Sequence, residues 1–100
     1  MNQKHALKLK AKQEEYEMRK DTAQTVLIQM ASDHVRKVDL PRLYEQEKRD
    51  GELPNDLSYQ DWFYDWLRDG TLRSLEATAR FKFQPVVAKE FGIDMRALSI

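Results

Sequence analysis

The chain has no cysteine. Disulfides, thiolate zinc sites, iron–sulfur clusters and thiol nucleophiles are therefore excluded. The same absence fits a reducing compartment, and a cytoplasmic protein is expected. Glycine is scarce, with single residues at 51, 70 and 92, so no glycine-rich phosphate loop can be built. The two histidines, His5 and His34, sit far apart on one predicted helix and cannot meet within a molecule. A metal site then lacks ligands, and none is expected. Ser32 and His34 are two residues apart, which puts them on different helix faces and leaves no Ser–His pair. Long apolar runs are also missing. The longest nearly apolar stretch, Thr25 to Ala31, is far short of a membrane span, and the N-terminus has no signal-peptide core. These absences point away from an enzyme, a cofactor, a small-molecule substrate and a membrane protein.

Neither sign of charge is in excess. Seventeen Lys and Arg balance seventeen Asp and Glu, and mean hydropathy is −0.78. The charges are unevenly placed, however. Residues 1–37 are net +3, residues 38–76 net −5 and residues 77–100 net +2. A basic–acidic–basic order suggests complementary surfaces, within one molecule or between copies, rather than a general polyanion binder.

What the chain has is helical pattern and aromatics. No proline occurs before Pro41 and no glycine before Gly51. This first stretch is rich in Ala, Lys, Gln, Glu, Leu and Met, all good helix formers. Tyr16, Ala23, Leu27, Met30 and His34 fall on one stripe, so a helix of roughly 30 residues is predicted, about 45 Å long. Residues 1–12 are basic and poor in apolar side chains. They are expected to project from a single helical domain covering 13–100. Asp39 is the predicted N-cap of a second helix, with Pro41 in its first turn and Gly51 as its stop. Leu40, Leu43, Tyr44 and Glu47 form its inward face.

The segment SYQDWFYDWLRDG predicts an aromatic helix over 59–69 that ends at Gly70. Ser58 and Asp61 resemble a capping box, and Tyr59, Trp62, Phe63, Trp66 and Leu67 share one face. Tyr64 lies off that stripe and is expected to be exposed. Thr71 can cap the next helix, whose Leu72, Leu75 and Ala79 point inward. Phe81 and Phe83 alternate with polar residues, and an extended link ahead of Pro85 is expected there. Pro85 then opens a helix that Gly92 ends, and Asp94 begins a last short one. The fold class is therefore all-α. A long N-terminal helix packs on a bundle of three to five short helices and ends in a C-terminal helical hairpin.

The end of the chain resembles a helix-turn-helix. Ala88, Gly92, Ile93 and Leu98 take the small, glycine and aliphatic positions of that motif. Arg80, Lys82, Lys89, Arg96 and Ser99 would be the nucleic-acid contacts. The would-be recognition helix offers few side chains for base edges, where three or four are usual. Nucleic acid is therefore a possible partner and not the favoured one.

Protein partners fit better. Lys4, Lys8 and Lys12 form a one-sided basic row, separated by single helical turns. Asp61 and Asp65, in line with Asp69, form an acidic ladder suited to receive such a row from a second copy. Trp62, Trp66 and Tyr64 are of the types that anchor interfaces. The sequence reads as a dimeric interaction module, with the size and character of a small inhibitor or adapter from a phage or other mobile element. A DNA-binding regulator acting through residues 85–100 is the alternative.

Overall fold

The computed structural model describes residues 3–98, with side chains from Ala6 to Leu98. All regular structure among them is helical. Helix α1 spans Gln3–His34 and runs through a π turn, Val35–Asp39, into α2, Leu40–Arg49. Residues 3–49 thus form one uninterrupted column, about 70 Å long at 1.5 Å per residue. That column sets the size of the molecule, which measures 73 × 20 × 18 Å.

The break implied by an N-cap at Asp39 is absent. Pro41 cannot donate a hydrogen bond, and its ring would crowd the Lys37 carbonyl in a regular α-helix. The chain widens the turn just ahead of it, and the Leu40 amide reaches back to the Val35 carbonyl. Asp39 has helical φ and ψ and makes no cap hydrogen bond, so it is not an N-cap. Its carboxylate lies 3.5 Å from His34 Nε2.

Gly51 does end α2, at φ 74°. The Gly51 amide bonds the Lys48 carbonyl and the Glu52 amide bonds the Glu47 carbonyl, the paired bonds of a Schellman motif. The loop after it buries Leu53. Helix α3, Tyr59–Asp61, begins at Ser58, whose hydroxyl accepts from the Asp61 amide at 3.1 Å. It passes directly into a second π turn, Trp62–Trp66, and the Leu67 amide bonds the Trp62 carbonyl. The aromatic helix therefore stops at Trp66, before Gly70. Leu67 and Arg68 are extended, and α4 covers Asp69–Phe91. Arg68, not Thr71, is its N-cap residue, and Gly70 lies inside its first turn.

Pro85 also sits inside α4, in place of the extended link that the sequence predicts over 81–84. Packing decides the outcome. Ala79, Val87 and Ala88 are buried on both sides of Pro85, and Phe83 packs with them. Pro85 itself is exposed, on the side where water can satisfy the carbonyl it leaves unpaired. Phe81 and Phe83, two residues apart on a helix, point to opposite sides: Phe81 is 78% exposed.

Helix α4 runs antiparallel to α1 and makes two cores with it. Ala23 and Leu27 meet Val87, Ala88, Ile93 and Leu98 in one. Ala31 and Val35 join Ala79, Leu40, Tyr44, Leu53 and Trp62 in the other. Phe83 touches both. Gly92, at φ 64°, ends α4 with a second Schellman pair, through the Gly92 and Ile93 amides. The last element is one 3₁₀ turn, Met95–Leu98, rather than an α-helix.

Candidate functional site

Two surfaces and one terminus hold the candidate residues. The first is the free end of α1. Every side chain from Ala6 to Glu15 is exposed, Lys8 and Lys12 among them. Lys8 and Lys12 are one turn apart, as their spacing requires. The side chain of Lys4 lies outside the described residues. Helix α4 ends at Phe91, next to Gly92, whose added Cβ would lie 4.0 Å from the Arg19 guanidinium, so α4 does not reach this end. The projecting face also carries apolar side chains that the basic row concealed: Leu7 is 66% exposed and Met18 71%. Their spacing was visible in the sequence, because Leu7 and Met18 share a helix face opposite Tyr16, Ala23 and Leu27.

The second surface is the aromatic end. Trp62 is 1% exposed and donates from Nε1 to Glu47 Oε2 at 2.7 Å. It is a core residue, so no partner can reach it. Around it stand Tyr44 and Tyr59 at ring separations of 5.5 and 5.6 Å, and the Tyr44 hydroxyl donates to the Leu57 carbonyl. Burial pushes the Tyr59 hydroxyl above the ordinary tyrosine pKa, because the phenolate would lose its water.

Tyr64 is 73% exposed and packs edge-on against Phe63. It closes a shallow groove with Arg36, Tyr59, Gln60 and Phe63. Trp66 shares the inward stripe in an α-helical reading, yet it is half exposed. Trp66 is the last residue of the π turn, and the chain leaves the helix at Leu67. Trp66 lines a different groove, with Glu47, Glu52, Arg68 and Thr71. Tyr64 and Trp66 therefore serve separate clefts.

Asp61 and Asp65 are exposed on this same short segment. Asp69 is not part of it, because the extended pair Leu67–Arg68 separates it and it opens α4. The ladder is thus two carboxylates long. Among the described residues, no group of acidic or histidine side chains is arranged to hold a metal ion.

The third region is the C-terminal segment. Its 3₁₀ turn is committed to the body: Leu98 is 1% exposed and Gln24 Nε2 donates to the Ala97 carbonyl at 3.2 Å. Gln84 Nε2 likewise donates to the Met95 carbonyl, at 2.7 Å. Lys82 and Lys89, seven residues apart, share one exposed side of α4, whereas Arg80 is half-buried and faces the other way. Arg96 is exposed on the 3₁₀ turn, and its amide bonds Asp94 Oδ1. These basic residues do not make one continuous surface. Ser99 lies outside the described residues. No helix among the described residues is long and apolar enough to cross a membrane. No protein-family model, no curated protein and no solved structure matches the chain, so its function has to be read from these surfaces.

Proposed function

We propose that this chain is a non-catalytic protein–protein interaction module, a small cytoplasmic inhibitor or adapter that works as a dimer or docks on a larger complex. One observation carries the reading. Helix α1 continues far past its own body, and its side chains from Ala6 to Glu15 have no cover. A helical end of that length gains little from propensity alone and is marginal in water. A partner that covers it would supply the missing packing. Lys8 and Lys12 would steer it toward an acidic surface, and Tyr64 and Trp66 offer aromatic anchors at the opposite end.

The test is photo-crosslinking in cells from position 8 and, separately, from position 64. Recovery of one recurring protein, whether a second copy or a host component, supports the reading. Adducts without a recurring partner at either position reject it. The alternative reading, a DNA-binding regulator acting through residues 85–100, has less support, because the would-be recognition helix is a single turn with Leu98 buried. Retention of a short random duplex at raised salt would reverse that preference.

A further inference from the structure

The outward face of α1 is patterned as a seam. Leu7, Ala11, Glu14 and Met18 succeed one another at alternating steps of four and three, the spacing of a coiled-coil interface, and all are exposed. A shallow groove beside them is lined by Lys10, Glu14, Glu17 and Met18. This face is opposite the one that packs on α4, so filling it would leave the body undisturbed.

We propose that α1 pairs with α1 of a second copy, as an antiparallel two-stranded coiled coil over Leu7 to Met18. The proposal rests on the reading of α1 as a docking element and names its occupant. In this register Leu7 packs on Met18 of the second copy, and Ala11 packs on Glu14 of the second copy. The two-fold axis repeats both layers. The small Ala11 leaves room for the Glu14 stem, whose carboxylate reaches out toward Lys10 of the second copy.

Charge selects both the partner and the direction. Lys8 and Glu15 lie on one flank of the seam, and Lys10 and Glu17 lie on the other. An antiparallel two-fold brings like flanks together. Lys8 then meets Glu15 of the second copy and Lys10 meets Glu17 of the second copy, each offset by about 3 Å along the axis. Symmetry makes these four opposite-charge pairs. Parallel pairing would keep Lys10 near Glu15 of the second copy. It would also set Glu14 against Glu14 and Asp21 against Asp21 at the same level, where like charges repel.

The chain has no native cysteine, so introduced thiols report the register cleanly. Leu7→Cys and Met18→Cys proteins, distinguished by mass, are mixed and gently oxidised. The mixture should yield a crosslinked heterodimer. Leu7→Cys alone should crosslink poorly, because antiparallel pairing holds its two thiols roughly 16 Å apart along the axis. Efficient crosslinking of Leu7→Cys to itself would overturn the antiparallel register and leave self-association standing. Light scattering provides the second readout. Lys8→Glu/Lys10→Glu and Glu15→Lys/Glu17→Lys proteins should each associate at least about tenfold more weakly than the native chain, and recover when mixed. A native chain that stays monomeric at all concentrations would overturn self-pairing. It would not touch docking on a different protein, which the in-cell crosslinks decide separately.

Discussion

Trp62 shows how one side chain ties three elements together. It begins the second π turn, fills the core against Ala31, Val35 and Tyr44, and hands its indole proton to Glu47 of α2. Replacing Glu47 with Leu would leave the N–H of this 1% exposed indole without its acceptor and should cost about 1–3 kcal/mol. Glu47→Gln keeps an acceptor in place and should cost less than about 1 kcal/mol, so the urea midpoints of the two variants separate the hydrogen bond from the charge. Tyr59 gives a pH-dependent counterpart. Its folded pKa is raised by burial, while the unfolded chain titrates near 10. The protonated form is the one that the fold favours. Its contribution is therefore intact below about pH 10 and is lost as pH rises through the folded value. Urea titrations across that alkaline range should show a loss of stability that is smaller in Tyr59→Phe.

At the scale of elements, α4 makes opposite predictions at its two special residues. Gly92 adopts φ 64°, and an added Cβ would meet nothing nearer than the Arg19 guanidinium at 4.0 Å. Gly92→Ala should therefore cost only the backbone term, about 1 kcal/mol, through loss of the αL conformation that ends the helix. Pro85 lies mid-helix and exposed, so Pro85→Ala restores a hydrogen bond without removing packing. It should stabilise the fold by roughly 2 kcal/mol once the stiffer unfolded chain is allowed for, as read from the urea midpoint. The same contrast explains what the sequence made legible. Gly51 and Gly92 announced themselves because a positive φ at a helix end is a local matter. Ser58 did so because its cap bond spans three residues. Pro41 and Pro85 misled because a proline's local penalty was outweighed by burial of Val35, Leu40, Ala79 and Val87 around it. Trp66 misled for a related reason. The helix ends right after it, at Leu67, and nothing in WFYDW marks that end.

The whole molecule is a rod. Its Cα radius of gyration is 20.2 Å, against about 13 Å for a compact chain of this length. The excess comes from the column of residues 3–49, whose body-covered part begins near Tyr16. The existence of a long helix was legible from the missing proline and glycine. The spacing of Leu7 and Met18 was visible too, but the charged residues around them look like an ordinary solvated face. The rod has a consequence for local stability. Amides of residues 6–15 are protected only by helix bonds that no tertiary contact supports, and short unsupported helices open readily. In dilute solution they should therefore exchange with deuterium far faster than amides near Leu27 or Val35, which open only with the core. If a second copy covers the seam, this difference must depend on concentration. Raising the protein concentration should slow exchange across residues 7–18 and leave the Leu27 region unchanged. Adding salt should reverse that slowing, because the flanking Lys–Glu pairs are solvent-exposed and screened. Fast exchange at every concentration would mean that α1 pairs with no copy of itself. Slow exchange at every concentration would mean that the helix end is stable alone, and the physical argument for a covering partner would fail.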